Sequence, residues 1–137
     1  MKNEIILSHF MQQVWNEKDI TAIAAFVDPA YTIHIDTGDP WEGQTLDHAS
    51  FEERLYYSFN SFPDIHFAIQ QTVADGDYVG ITWIMTGTHL GSIGHFAPTG
   101  KAINCAGHTI YHFRNGKVCG HSQVFDRTTV MRQLGFL

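Results

Sequence analysis

Basic residues are few and nowhere gathered. Eight Lys and Arg are set against fourteen Asp and Glu, a net charge of −6 with His neutral. Binding to a nucleic-acid backbone needs basic patches that neutralise phosphates, so nucleic acid is not an expected partner. Long apolar runs are also missing. None approaches the 18 residues that would suggest a membrane-spanning helix, so no membrane partner is expected. Met1-Lys2-Asn3-Glu4 leads straight into an amphipathic pattern with no secretory signal, and a cytoplasmic location is the expectation. Cysteine is scarce. Cys105 and Cys119 are the only two, without metal spacing and too few for a disulfide framework, and both read as buried thiols. The nine histidines contain no HExxH or other compact zinc pattern, so no metal is expected. Internal repeats, low-complexity tracts and linkers are absent.

What is present suits one domain with apolar content to spare. At 137 residues and 44% hydrophobic composition, the chain can bury roughly two thirds of its unfolded surface. Ten Phe, five Tyr and three Trp point to a large aromatic core or an aromatic-lined cavity. Protonating all nine histidines would carry the net charge from −6 to +3, so the surface changes sign in mild acid.

Helical spacing of Ile5, Ile6, Phe10 and Val14 predicts a first helix, N-capped by Asn3 and reaching about Glu17. Asp19 caps a second, short helix that Asp28-Pro29 ends. Tyr31–Asp36 alternates as a half-buried strand, and Thr37–Gly43 is a loop. Ser50-Phe51-Glu52-Glu53 reads as a capping box opening a helix with Phe51, Leu55, Phe59 and Phe62 on one stripe. Two hairpins follow, Ile65–Ala74 with Tyr78–His89 and Lys101–Arg114 with Val118–Phe125, turning at Asp75-Gly76-Asp77 and at Asn115-Gly116. Asp126 reads as the N-cap of a last short helix ended by Gly135. Helices first and antiparallel strands afterwards give an α+β fold, a strongly curved antiparallel sheet wrapped around three N-terminal helices into a cone with one open end.

The last hairpin sorts the side chains. A two-residue type I′ loop at Asn115-Gly116 would face Arg114 with Lys117; a type I turn with a bulge at Gly116 shifts the register by one and is preferred. That register turns Cys105, Gly107, Thr109, Tyr111 and Phe113 inward with Cys119, His121, Gln123 and Phe125. It pairs Cys119 with Tyr111, six residues or about 20 Å from Cys105, which rules out a disulfide. Ala106, Ile110, Val118 and Val124 then lie outside with His108 and His112. So much outer apolar surface predicts a homodimer.

Six segments recur in order: Phe62-Pro63-Asp64, Gly87-Thr88-His89-Leu90-Gly91, Pro98-Thr99-Gly100-Lys101, Asn115-Gly116-Lys117-Val118, Val124-Phe125-Asp126-Arg127 and Gln133-Leu134-Gly135. Together they resemble the SnoaL-like polyketide cyclases of the nuclear transport factor 2-like superfamily. The resemblance implies a pocket-bearing cone, commonly dimeric, and cofactor-independent acid/base chemistry on an apolar or aromatic carbonyl compound, such as cyclisation, isomerisation or dehydration. It also implies a catalytic carboxylate on the last strand, a position that holds Gln123 here. Gln hydrogen-bonds a carbonyl but does not exchange protons at a useful pKa. His121 shares that face, and His34 lies on the first strand near the expected lining; either imidazole would serve as the proton-transfer group. His34, His121 and Gln123 are therefore the candidate catalytic residues. Trp83, Thr109, Tyr111 and Phe125 are the candidate substrate-binding ones. The alternative is a non-catalytic module holding a hydrophobic metabolite, which Gln123 favours. Epoxide hydrolysis, as in relatives of limonene-epoxide hydrolase, needs two Asp with an Arg between them inside the pocket. It ranks last, because Arg54, Arg114, Arg127 and Arg132 all read as exposed.

Overall fold

The computed structural model describes residues 1–137. Helix α1 (Asn3–Phe10) continues into a wider π-helical stretch, Met11–Asn16, whose last turn closes with Glu17 N–H on the Gln12 carbonyl. The wider turn puts Met11, Val14 and Trp15 in the core together with Leu7 and Phe10. Lys2, not Asn3, is the residue at the N-cap, and no side chain caps this helix. A 3-10 turn (Ile20–Ala22) follows, capped by the Asp19 carboxylate on Thr21 N–H, and leads into the four-residue α2 (Ile23–Phe26).

Strand β1 (Val27–Ile35) starts earlier than its alternating pattern suggests and includes Pro29. A proline fits at the few strand positions that donate no ladder hydrogen bond. After the two-residue β2 (Thr45–Leu46) comes α3 (His48–Ser61). Its cap lies three residues upstream of the predicted box. Asp47 accepts from Ser50 N–H at 2.9 Å while Asp47 N–H donates to Ser50 Oγ at 3.0 Å, so Ser50 is the inner partner and Glu53 takes no part.

Strands β3 (His66–Asp75), β4 (Tyr78–Thr88), β5 (Ala102–Arg114) and β6 (Lys117–Phe125) complete a six-stranded sheet in the order β2-β1-β6-β5-β4-β3. The sheet is mixed. β1 runs parallel to β6, because the chain crosses from one to the other through the rest of the fold, whereas every other pair is antiparallel. Helix α4 (Arg127–Gln133), N-capped by Asp126 on Thr129 N–H, lies against β5. The concave face of the sheet and the inner stripes of the helices form one core. No helix is long and apolar enough to cross a membrane.

The last hairpin corrects the preferred register. Asn115 and Gly116 both have positive φ, 51° and 75°, and Arg114 faces Lys117, as the type I′ alternative requires. A bulge then inserts Cys119 between the Phe113–Val118 and His112–Gly120 pairs. The extra residue restores the side-chain parity of the other register, so Tyr111 faces His121, Thr109 faces Gln123 and Gly107 faces Phe125, all inward. It also turns Val118 into the core, fully buried instead of on the outer face. Both cysteines are buried free thiols.

Candidate functional site

Between the helices and the concave sheet lies a cavity of about 270 Å³, lined by 24 residues of which 15 are hydrophobic. Its walls include Met11, Trp15, Phe51, Phe62, Trp83 and Phe125. Trp83 reaches across β5 because position 107 is glycine: a Cβ there would lie 2.3 Å from the indole and 2.8 Å from Phe125. One end of this apolar chamber is polar, and it is organised around a carboxylate that the alternating pattern of β1 conceals.

That carboxylate is Asp36, 1% exposed. Strict alternation from Tyr31 and Ile33 would bury Ile35 and expose Asp36. However, β1 is irregular between Ile33 and Ile35 where it pairs with β6, and the parity switches. Ile35 becomes 56% exposed and Asp36 turns inward. Asp36 Oδ2 accepts from His121 Nε2 at 2.8 Å, Arg54 Nη2 at 3.0 Å and Gln123 Nε2 at 3.1 Å; Oδ1 accepts from Arg127 Nη2 at 2.9 Å. Burial works to raise the Asp36 pKa, but the His121 hydrogen bond and the charges of Arg54 and Arg127 outweigh it and hold the carboxyl below its ordinary value. Asp36 is therefore ionised and an acceptor only.

The remaining polarity follows from that end point. His121 must give Nε2–H to Asp36, so its Nδ1 carries the lone pair, and the Tyr31 hydroxyl 2.5 Å away donates to it. Burial in the apolar wall lowers the His121 pKa, and Arg54 lowers it further against the opposing pull of Asp36, so the ring is neutral at neutral pH. Burial raises the Tyr31 hydroxyl well above its ordinary value.

Arg54 overturns the expectation of exposure. It lies three residues after Phe51 on the inner stripe of α3, is 8% exposed, and bridges Asp36 and Asp39 through Nη2 at 3.0 Å to each, with Nε also on Asp39 at 3.2 Å. Arg127, at the start of α4, stacks 4.3 Å over Phe125, donates to the Thr37 carbonyl, and crosses Gly38 where a Cβ would lie 2.8 Å from its side chain. At 38% side-chain exposure it marks the mouth.

The structure brings His121, Gln123, Trp83, Tyr111 and Phe125 to the cavity wall and places Thr109 directly behind it. It does not bring His34 there. Regular alternation from Tyr31 and Ile33 turns His34 to the outer face, where it is exposed and stacked 4.5 Å from His112 above Gly120, so it cannot meet His121 and Gln123 inside. Asp126, occupied as a cap, stays outside the cluster. Tyr31, Asp36, Arg54 and Arg127 complete the site. For Arg54 a signal was present, its i+3 spacing from Phe51; for Asp36 the bulge erased it.

The sequence profile of SnoaL-like polyketide cyclase matches residues 5–134. Curated protein sequences give no match. Among solved structures, a candidate polyketide cyclase from Acidithiobacillus ferrooxidans superposes with a TM-score of 0.91 and 43% identity, covering 98% of this chain and 95% of that one. IdmH, a candidate polyketide cyclase from Streptomyces antibioticus, gives a TM-score of 0.81 at 22% identity over 98% and 99% of the two chains. AclR, a candidate hydroxylase from Streptomyces galilaeus, gives 0.79 at 22% over 98% and 82%. At that lower identity the likeness is one of fold. A profile match over nearly the whole length, joined to a 43%-identical chain folded alike, shows that this protein belongs to the SnoaL-like polyketide cyclase family.

Proposed function

We propose that the protein catalyses cofactor-independent acid/base chemistry on an apolar or aromatic carbonyl compound, with Tyr31, His121 and Asp36 as its proton relay. The observation that carries this reading is the fixed polarity Tyr31 O–H to His121 Nδ1 and His121 Nε2–H to Asp36, at the polar end of an otherwise apolar chamber. A proton leaving the carbon next to the substrate carbonyl passes to Tyr31 Oη as the phenolic proton moves to His121 Nδ1. The C–H electron pair becomes the enolate, and the imidazolium is held by the ionised Asp36. Returning the proton to carbon or to oxygen reverses the relay. This keeps His121 as the expected proton-transfer group and joins Tyr31 and Asp36 to it, because the amide at 123 cannot titrate.

The test is hydrogen–deuterium exchange at the methyl group of 2-acetylnaphthalene, followed by NMR. Wild-type protein accelerates exchange, and His121→Gln and Tyr31→Phe each reduce that acceleration by about a hundredfold or more. Exchange unchanged in both variants would sink the relay. Ligand binding with no exchange at all would favour a non-catalytic binding module.

A second reading rests on one further observation: Arg54 lies between Asp36 and Asp39, the grouping that epoxide hydrolysis requires. Turnover of styrene oxide, abolished in Asp39→Asn, would favour it over carbonyl chemistry. We also propose that two copies associate through the outer sheet face, where Ile35, Ile110 and Val124 are exposed.

A further inference from the structure

Gln123 occupies the position at which the family resemblance implies a carboxylate, and its amide is held in one orientation by a chain of hydrogen bonds whose directions are all fixed. One end is Trp83 Nε1–H, which can only donate, and it gives its hydrogen to Thr109 Oγ1 at 2.8 Å. Thr109 therefore turns its own hydrogen to Gln123 Oε1, also at 2.8 Å. The other end is the ionised Asp36, which can only accept, and it takes one hydrogen of Gln123 Nε2 at 3.1 Å. Rotating the amide by half a turn would set its oxygen against the carboxylate and its NH2 against a hydroxyl hydrogen, losing both bonds. The second Nε2 hydrogen has no acceptor within the protein, and Gln123 contributes to the cavity wall.

We infer that Gln123 is a substrate-contacting donor that binds a carbonyl oxygen and stabilises the oxyanion formed from it, with Thr109 and Trp83 as its positioning residues. This rests on the carbonyl reading above and assigns which group meets the oxygen. A preorganised neutral donor suits that task, because it needs no reorientation as charge develops on the oxygen. The arrangement also specifies the ligand: an apolar ring system with a hydrogen-bond acceptor at the end facing β6. A hydrocarbon of the same shape would leave the amide hydrogen unpaired.

The experiment compares calorimetric binding of 2-acetylnaphthalene and 2-isopropenylnaphthalene, which share a shape and differ in the carbonyl oxygen. Wild-type protein is expected to favour the ketone by about tenfold, the worth of one good hydrogen bond. Gln123→Met should bring the two ligands within about twofold of each other while the hydrocarbon binds as before. Thr109→Val, which removes the hydroxyl that holds Oε1 and leaves the amide on its Asp36 bond alone, should reduce the ratio, and Thr109→Ser should restore it. A merely structural role for Thr109 would weaken both ligands together and leave the ratio intact. Persistence of the ketone preference in Gln123→Met would overturn the inference and move the donor to Arg54 or Arg127. Equal binding of both ligands to wild-type protein would overturn it while leaving the apolar-pocket reading in place. Binding of neither ligand would overturn both.

Discussion

His121 holds its ring inside the core at 2% exposure. Its folded pKa is depressed, first by burial and then by Arg54, so below 6.5 the unfolded chain takes up a proton that the native ring refuses. The contribution of His121 to stability is full above 6.5 and is lost as pH falls through the depressed folded value. The ionised Asp36, also depressed, adds a further loss below its ordinary value of 3.8. Urea unfolding should therefore show wild-type protein losing stability between pH 7 and 5. The His121→Gln difference isolates this residue from the other histidines, and parallel profiles would contradict the assignment. The candidate base was legible in the sequence because His121 shares a face with Gln123. Its anion was not, because a carboxylate in the outward phase of a strand looks solvated until the backbone slips by one residue.

Local irregularities, more than the regular segments, place the site. The β1 irregularity turns Asp36 in and Ile35 out, and the Cys119 bulge sets His121 and Gln123 on the inner face. Periodicity predicted the helices, both hairpins and the Asp19 and Asp126 caps. It could not predict two slips that each cost one unpaired residue and are compensated only by tertiary contacts. Where no side chain exists, the element is equally constrained. Gly107→Ala would drive a methyl group into Trp83 and Phe125, at 2.3 and 2.8 Å, and force the indole to shift. It should destabilise the fold by about 1–3 kcal/mol, as overpacking does, and weaken naphthyl-ketone binding by displacing the indole from Thr109. Unchanged unfolding and unchanged binding would show that the wall relaxes freely around position 107.

Considered as a whole, the molecule has one face with nothing packed against it. Ile35, Ile110 and Val124 are at least half exposed on the convex side of the sheet, beside the stacked His34 and His112 and near Tyr78. Sedimentation at micromolar concentration should find a dimer, and Val124→Lys should dissociate it. A single species of chain mass in the wild type would dispose of that interface. The α+β cone was readable from the order of elements, but the parallel β1–β6 pair was not. Strand order in a sheet depends on which distant segments meet, and alternation within one strand carries no record of that.

Of the four donors on Asp36, His121 and Arg54 are buried, Gln123 is half-buried, and Arg127 is the charged one that stands partly in water at the mouth. The consequence is kinetic and ionic. Dissolved salt screens the exposed Arg127 pair far more than the buried ones, over a Debye length that shrinks from about 10 Å at 0.1 M to about 3 Å at 1 M. Added salt should therefore loosen the latch across Gly38 while leaving the relay on its floor intact. Stopped-flow mixing with an uncharged naphthyl ketone should show the association rate climbing between 0.05 and about 1 M sodium chloride, a range over which screening deepens several-fold. In Arg127→Gln the rate should be fast and indifferent to salt. If wild type and variant respond alike, the mouth opens elsewhere.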